Sequence, residues 1–350
     1  MSRLDELTGP TPFSGLDPDC VLDALSSVGL QGDGRQIQLN SYENRVYQVF
    51  LDDGRVVVAK FYRPGRWSDA QILEEHEFVE HLARTELPVA QAWSMAVDRA
   101  ANSATRCRVI APTLAQFDTT VGPYRFSVAT RLFGRAPELG DADTLRRMGS
   151  AIGRTHSVWW QANFAYRPRL DVDTLGTANR DWLLASDLIA PTAMAPWRAA
   201  ADAALAAAAA AFASVGACRA LRLHGDCHLG NVLWADNGPQ FVDFDDACTG
   251  PAVQDLWMLL SGDARAMSLQ MEDVLAGYED FCEFDPRELH LIEALRTLRL
   301  LHHSAWLARR WDDPAFPAAF PWFATNRYWE ARILELREQI ARMQEPAILM

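Results

Sequence analysis

The chain has 350 residues, of which 49% are hydrophobic and 23% charged, a balance typical of globular proteins with a sizeable core. This length predicts about two domains or lobes. The formal net charge is −13 at pH 7, and the sequence carries no basic run, which argues against binding to duplex nucleic acid or to an anionic membrane surface.

The cysteine pattern indicates a reducing compartment, and the apolar segments indicate neither a signal peptide nor a membrane span. Six cysteines are scattered without a CxxC motif, so neither a zinc ribbon nor a disulfide framework is predicted. The first fifteen residues have no apolar core of signal-peptide length. The most membrane-like stretch, residues 203–218, is short and mostly alanine, so we predict a buried or lobe-packing helix there. We therefore expect a cytoplasmic protein with no membrane partner.

The first 130 residues are dominated by strand signals. A short helix is predicted at 18–28. Ser68 and Gln71 form a capping-box signature that predicts a second helix running to about Arg84. Runs rich in β-branched and aromatic residues predict strands at 45–50, 56–62, 106–110 and 124–130.

From about Asp143 the pattern is mostly helical. The exception is a short hairpin, in which residues 232–234 and 240–242 flank an Asn-Gly turn. Strands followed by helices indicate an α+β fold. We predict two lobes, a small β-rich lobe in residues 1–131 and a larger helical lobe in residues 132–350.

The richest group of reactive side chains lies in the second predicted lobe. Residues 221–234 read LRLHGDCHLGNVLW, and Asp243 follows Asn231 after the predicted hairpin. The hairpin turn should return Asp243 to the side of Asn231, so both would lie near Asp226. Carboxylate and amide oxygens suit Mg²⁺, and a remaining carboxylate can orient or deprotonate a hydroxyl. This equipment is that of phosphoryl transfer.

A lysine and a glutamate in the first predicted lobe support this interpretation. Lys60 ends the strand signal VVAK, and Glu75 shares the apolar face of the predicted helix with Ile72 and Phe78. An inward carboxylate is costly unless it is paired, so we predict an ion pair between Lys60 and Glu75. The neighbouring Glu74 should face water.

The turn at residues 40–45 precedes the first predicted strand. No GxGxxG or GxxxxGK[ST] phosphate loop occurs there. Ser41 is a candidate donor to phosphate oxygens, and an ordinary Ser/Asn turn fits the sequence equally well.

Other polar residues have structural roles that compete with functional ones. We expect His224 to pack beneath the loop rather than to join His228 in a zinc site, and Cys227 to be inert. Asp255 opens a predicted helix just after Asp243, where its charge would complement the N-terminus of that helix. The acidic stretch 272–288 could attract a cationic substrate, although a solvated helix face is the commoner explanation.

The motifs carry a resemblance to a known family. Asp226, Asn231 and Asp243 have the spacing of the protein-kinase H-R-D-x-x-x-x-N and D-F-G motifs. The HGD sequence in place of HRD resembles the aminoglycoside phosphotransferase-like kinases. Longer strings are similar to the stress-response kinases of that family, namely residues 41–49, 60–67, 71–76, 221–234, 250–262 and 309–317.

The resemblance implies a bilobal protein-kinase-like fold and a cytoplasmic Ser/Thr protein kinase of bacterial stress response that uses ATP and Mg²⁺. It implies a protein substrate, with autophosphorylation as a further reaction, and a monomeric enzyme is expected. The roles carried over are proton acceptor for Asp226, Mg²⁺ ligands for Asn231 and Asp243, and ATP contacts for Lys60 and Ser41. The resemblance also implies that Asp255 braces the catalytic loop through backbone hydrogen bonds.

Two departures keep other functions open. Asp245 replaces the glycine of D-F-G, and only eight residues separate Asp243 from Pro251, too few for a phospho-regulated activation loop. A small-molecule phosphotransferase, similar to aminoglycoside, choline or homoserine kinases, is therefore the alternative. A non-catalytic nucleotide-binding protein is less favoured, because the full set of catalytic residue types is present.

Overall fold

The structure is a computed structural model that describes residues 11–158 and 162–345. The first ten residues, on which part of the signal-peptide prediction falls, and residues 346–350 lie outside this range. The strands are β1 (Gly32–Leu39), β2 (Arg45–Leu51), β3 (Val56–Phe61), β4 (Cys107–Ala111), β5 (Leu114–Thr119), β6 (Gly122–Thr130), β7 (Leu221–Leu223), β8 (Val232–Ala235), β9 (Gly238–Phe241) and β10 (Cys248–Gly250).

The α-helices of the described residues confirm the α+β class. They are α1 (Pro18–Ser26), α2 (Asp69–Arg84), α3 (Ala142–Val158), α4 (Ala178–Ala185), α5 (Pro191–Val215), α6 (Val253–Trp257), α7 (Ala264–Tyr278), α8 (Ile292–Arg309), α9 (Ala315–Ala319) and α10 (Asn326–Arg342). The chain divides into two compact units. Unit 1 falls within Met1–Glu80, Ala90–Leu132 and Asp312–Ala315, and unit 2 holds the remaining segments.

Unit 1 is built on a six-stranded antiparallel sheet with the order β1-β2-β3-β6-β5-β4. Alternation in β3 places Val57, Ala59 and Phe61 in a core that also contains residues of α1. The side chains of Lys60 and Tyr62 point to the opposite face, because successive strand residues alternate. Tyr62 bonds His76 of α2 at 2.8 Å, so α2 covers that second face.

Two strands of this sheet were not predicted from the sequence. The strand β1 is mostly polar, contains two glycines and has a register shift between Gly32 and Gln36, so it lacks the alternation of a half-buried strand. The strand β5 continues the run assigned to 106–110 after a two-residue turn. The turn at 40–44 therefore joins two paired strands and does not precede the sheet.

Unit 2 packs helices at close range. A Cβ on Gly149 of α3 would lie 1.8 Å from the carbonyl oxygen of Val274 in α7, so only glycine permits this approach. The predicted hairpin is present as β8 and β9, joined by a tight turn at Asp236 and Asn237. The short strands β7 and β10 pair antiparallel and flank the segment that carries the candidate catalytic residues.

The alanine-rich segment forms the second half of α5, which begins earlier than the sequence predicted. Among helices of the described residues, α5 is the one long and apolar enough to cross a membrane by length and composition. Its residues Trp197, Ala201 and Ala204 are buried in a cluster with Leu298 of α8 and Trp329 of α10. The first half of α5 is thus a core helix of unit 2. Within the alanine tract itself, Ala204, Leu205, Ala208 and Val215 are buried and the other positions are exposed or half-buried, so the predicted burial holds for one face of the tract.

Candidate active site

The predicted Lys60–Glu75 ion pair is present in unit 1. The Nζ of Lys60 lies 3.9 Å from Oε1 of Glu75, and both side chains are largely buried. Ser68 and Gln71 make the reciprocal hydrogen bonds of a capping box, which fixes the start of α2 at its predicted place. The register of β3 and the start of α2 together set the two charges side by side. The role of this pair toward ATP stays a prediction.

The prediction that Glu74 faces water is wrong, because Glu74 is as buried as Glu75. The helix α2 is covered on more than one side. Ile72 and Phe78 share a buried face of the helix with Glu75. Glu74 and His76 are also buried, at other positions around the helix. A single apolar stripe in the sequence therefore underestimates how much of α2 is enclosed.

The turn that contains Ser41 is held by a buried arginine that the sequence analysis missed. Arg63 donates hydrogen bonds to the backbone oxygens of Tyr42 and Glu43 at 3.1 and 2.9 Å. Its guanidinium also pairs with Asp313 at 2.8 Å, so a segment distant in sequence anchors the turn. The hydroxyl of Ser41 accepts a hydrogen bond from the backbone N–H of Asn44 at 3.3 Å. This is turn geometry, and phosphate contact by Ser41 stays a prediction.

In unit 2 the catalytic loop turns sharply at Gly225. The residue has φ +83°, and a Cβ there would lie 2.1 Å from the carbonyl oxygen of Asp246. Only glycine fits this close approach in the left-handed region. The glycine of the HGD sequence thus places the loop directly against the segment that carries Asp243.

Asn231 and Asp243 lie beside each other, as the hairpin predicted. The strands β8 and β9 pair Val232 with Phe241, and Val242 N–H donates to the oxygen of Asn231 at 3.0 Å. The amide Nδ2 of Asn231 donates to the backbone oxygen of Asp226 at 3.0 Å, which leaves its Oδ1 as the available ligand atom. The three residues that the sequence grouped are therefore neighbours in unit 2.

Asp243 has a backbone conformation that is rare for a residue with a side chain. Its φ and ψ are 60° and 66°, in the left-handed region. Such conformations cost about 1 kcal/mol or more and concentrate at functional sites. The side chain of Asp243 is exposed, whereas Asp245 is 3% exposed. Of these two carboxylates, Asp243 is the one that an ion from solvent can reach.

The carboxylate of Asp226 is bound by two side chains. His228 accepts a hydrogen bond from Gly230 N–H at Nδ1, so its Nε2–H points to Oδ2 of Asp226 at 3.3 Å. Arg299 of α8 places Nη1 2.6 Å from Oδ1. Burial would raise the pKa of Asp226, but the hydrogen bond from His228 and the charge of Arg299 outweigh it and hold the pKa well below its ordinary value. The carboxylate is ionised at neutral pH.

Asp255 braces the catalytic loop, as the family resemblance implied. Its carboxylate accepts hydrogen bonds from the backbone N–H groups of His224 and Gly225 at 2.7 and 2.9 Å. His156 contacts the same carboxylate at 3.1 Å. Glu288 in turn accepts from Val253 N–H at 2.9 Å, at the first residue of the short helix α6 that carries Asp255. This support of the loop is completely buried.

His224 and Cys227 have the structural roles expected of them. His224 is buried, its Nε2 lies 2.9 Å from the oxygen of Val242, and its ring packs on Phe244. Burial raises the pKa of the Cys227 thiol well above its ordinary value, so the thiol is a poor nucleophile at neutral pH. Among the described residues, no group of three His, Cys, Asp or Glu side chains is arranged to hold a metal ion.

Each unit therefore presents a separate set of functional groups. Unit 1 offers a buried ammonium–carboxylate pair and a braced turn. Unit 2 offers an ionised carboxylate beside an amide oxygen and an exposed carboxylate, all of them on a braced loop. Sequence spacing predicted both sets, whereas Arg63 and Arg299 were missed, because each acts on a loop far away in sequence.

Comparison with known proteins identifies the class. The model of the phosphotransferase enzyme family matches residues 35–292. Stress response kinase A of Escherichia coli (strain K12) is 40% identical over 338 residues, which is 96% of each chain. The Salmonella typhimurium protein named serine/threonine protein kinase RdoA is 39% identical over the same length and the same shares.

Solved structures share the fold at lower identity. An amicoumacin kinase superposes with a TM-score of 0.68 at 17% identity and covers 95% of each chain. A microcompartment-associated aminopropanol kinase has a TM-score of 0.66, also at 17% identity, over 94% of this chain and 97% of its own. The predicted bilobal, aminoglycoside phosphotransferase-like and protein-kinase-like fold is confirmed. The chain belongs to the phosphotransferase enzyme family.

Proposed function

We propose that this protein is an ATP- and Mg²⁺-dependent Ser/Thr protein kinase of the bacterial stress response that acts in the cytoplasm as a monomer. The observation that supports this proposal most directly is the grouping of Asp226, Asn231 and Asp243 on one braced loop and hairpin. The long similarity to stress response kinase A supports the finer assignment.

The residues present fit a magnesium ion. Asn231 has one oxygen left for a ligand, and Asp243 is an exposed carboxylate next to it. Mg²⁺ prefers oxygen ligands, retains several waters and is commonly held by one or two protein groups together with phosphate oxygens. When bound, the ion would neutralise charge on the transferred phosphoryl group. The amicoumacin kinase was solved with AMP-PNP and Ca²⁺, which supports a nucleotide and a divalent cation here.

Asp226 would act on the acceptor hydroxyl. In the proposed step the hydroxyl oxygen bonds to the γ-phosphorus of ATP while the bond to the β,γ-bridging oxygen breaks. ADP leaves with the electron pair of the broken bond. The hydroxyl proton passes to the carboxylate of Asp226 and then to solvent. A carboxylate with a low pKa orients the hydroxyl and accepts the proton late, which suits this loose transition state.

Unit 1 would bind the phosphates of ATP. Lys60, held by Glu75, supplies an ammonium group for phosphate oxygens. The turn that carries Ser41 is proposed to contact the phosphates through its hydroxyl or backbone N–H groups. Arg63 holds that turn in one conformation, which lowers the entropic cost of binding.

A small-molecule acceptor is the second candidate. The segment between Asp243 and α6 is short, so no long activation loop is available to bind a polypeptide. The solved structures of the same fold include an amicoumacin kinase and an aminopropanol kinase, both named for small acceptors. The greater sequence identity to stress response kinase A favours the protein acceptor.

Transfer of label from ATP tests the proposal. The wild type and Asp226→Asn are incubated with γ-labelled ATP and Mg²⁺, with and without a generic protein acceptor. Label on Ser or Thr that the variant fails to transfer supports a protein kinase, and label on the enzyme itself would show autophosphorylation. Nucleotide binding without protein label would assign a small-molecule acceptor, to be identified in a metabolite screen.

A further inference from the structure

Arg299 contacts one of the two carboxylate oxygens of Asp226, the residue proposed to accept the hydroxyl proton. Its guanidinium lies 2.6 Å from Oδ1 of Asp226, while His228 contacts Oδ2. Within the described residues, Asp226 is the carboxylate paired with Arg299. The side chain of Arg299 is 40% exposed, so it reaches solvent beside the catalytic carboxylate. A hydroxyl can be oriented by Oδ1 only when this guanidinium shifts or is shared.

The surroundings of Arg299 are cationic and aromatic. Arg296, one turn earlier on the same face of α8, stacks on Trp257 at 5.1 Å. His303, one turn later, is a half-buried imidazole whose pKa falls to about 4, chiefly through burial and further through Arg332 and Arg299. Asp226 acts on His303 in the opposite direction. Arg299 of α8 and Arg332 of α10 are therefore both close enough to His303 to lower its pKa, and Asp226 lies in the same neighbourhood.

The neighbouring arginines already have their own carboxylate partners. Arg296 lies 3.6 Å from Glu293, and Arg332 lies 2.5 Å from Glu335. Arg299 differs, because its partner is the group that must do chemistry. A guanidinium that leaves a carboxylate needs a replacement anion, since an unpaired charge in a partly buried place is costly. The replacement must come from the acceptor or from the nucleotide.

We propose that Arg299 is an acceptor-binding residue that recognises a carboxylate or phosphate carried beside the acceptor hydroxyl, and that its transfer to this anion exposes Asp226. The proposal rests on the proposed function and specifies its substrate class, a Ser or Thr in an acidic polypeptide segment. Guanidinium forks bind carboxylate and phosphate through two parallel hydrogen bonds, which makes arginine suited to this recognition. The expected acceptor is thus anionic, not the cationic substrate that the acidic stretch 272–288 suggested.

The test compares peptides and variants by two independent measurements. One Ser peptide carries Glu residues around the acceptor, and a second carries Lys at the same positions. Label transfer from ATP is measured with both peptides, and binding is measured by calorimetry with versions in which the acceptor is Ala. The proteins are wild type, Arg299→Gln, Arg299→Lys and Arg198→Gln, in which an exposed arginine of α5 is lost as a charge-matched control.

We expect the wild type to prefer the acidic peptide in both measurements. Loss of a charge-assisted pair predicts about tenfold weaker binding of that peptide to Arg299→Gln, with a smaller loss for Arg299→Lys and none for Arg198→Gln. The preference in kcat/KM should collapse in Arg299→Gln while the KM for ATP stays unchanged.

The outcomes separate this inference from the proposed function. Label transfer without an acidic preference, or an acidic preference that survives in Arg299→Gln, overturns the role of Arg299 and leaves the kinase assignment in place. A raised KM for ATP in Arg299→Gln, with equal losses for both peptides, overturns it in favour of a nucleotide contact. Arg299-dependent binding of the acidic peptide without any label transfer supports the anion site and rejects the protein-kinase assignment.

Discussion

Each unit holds a charged functional group in place with an ion pair, and the two pairs differ. In unit 1, Lys60 faces Glu75 at 3.9 Å, and both side chains are nearly enclosed. In unit 2, Asp226 faces Arg299 at 2.6 Å, and the arginine is 40% exposed. The first pair is built into the core of a sheet and a helix. The second pair joins a largely buried carboxylate to an arginine that solvent and dissolved anions can reach.

The difference indicates a fixed pair and an exchangeable pair. Separating a buried pair leaves an uncompensated charge, so Lys60 and Glu75 should stay together throughout the reaction. Arg299 is 40% exposed, so an incoming anion can compete with Asp226 for its guanidinium. Each unit also has a buried support for a functional loop. Arg63 with Asp313 holds the turn of Ser41 in unit 1, and Asp255 with Glu288 holds the catalytic loop in unit 2.

The largest expected effect comes from neutralising Asp226, the carboxylate of the exchangeable pair. Asp226→Asn should lower kcat by about 10²- to 10⁴-fold, the usual contribution of a positioned proton acceptor. The variant should still bind nucleotide, as measured by the thermal shift that Mg²⁺ and ATP produce. Asp236→Asn, in the exposed turn between β8 and β9, is the matched control and should retain full activity. Equal turnover of Asp226→Asn and wild type would reject the mechanism.

The support of unit 1 should have the next largest effect. Arg63→Met leaves Asp313 buried beside it, and breaking one side of a buried pair costs about 3 kcal/mol in the free energy of unfolding. Chemical denaturation measures this loss, and the double variant with Asp313→Asn should recover part of it. The exposed pair of Arg35 with Asp33 has a similarly short distance, and Arg35→Met should leave stability unchanged. Equal losses in both arginine variants would contradict a special role for Arg63.

The support of unit 2 predicts a pH dependence. Burial and the charge of Asp285 raise the pKa of Glu288 to about 7 from 4.5, although a hydrogen bond from Val253 N–H opposes the shift. A raised carboxyl pKa stabilises the fold fully below pH 4.5, and this contribution is lost as pH rises through 7. The difference of 2.5 pH units corresponds to about 3 kcal/mol at most.

Glu288→Gln should therefore unfold with a flatter pH profile. It should match the wild type near pH 4.5 and be the more stable protein, by about 2 kcal/mol, at pH 8, as measured by urea unfolding at several pH values. Glu283→Gln, an exposed carboxylate of the same region, should follow the wild-type profile. A Glu288→Gln variant that is less stable than the wild type at pH 8 would show that the ionised carboxylate stabilises the fold, which contradicts a raised pKa of Glu288.

The same contrast explains how far the sequence could be interpreted. Lys60 and Glu75 were predicted as a pair because a strand register and a helix face are both visible in local patterns. Asp226, Asn231 and Asp243 were predicted because one hairpin relates them. The partners Arg299, in α8, and Asp313, in the loop between α8 and α9, could not be foreseen. Both lie far along the chain, and local periodicity does not say which segment they approach. The polar strand β1 was not predicted for a related reason. Its pairing with β2, and not the burial of one face, makes it a strand.

The smallest expected effect tests whether the fixed pair is specific to one glutamate. Glu75→Gln should lower kcat/KM for ATP by about tenfold, because Lys60 loses the charge that orients it. Glu74 is the sharpest control that the chain offers, since it is adjacent, equally buried and on the same helix. Glu74→Gln should leave the KM for ATP within about twofold of wild type, whatever it does to stability. If Glu74→Gln raised that KM while Glu75→Gln did not, Lys60 would change its partner when nucleotide binds, and the pair in unit 1 would be exchangeable like that of Asp226 and Arg299.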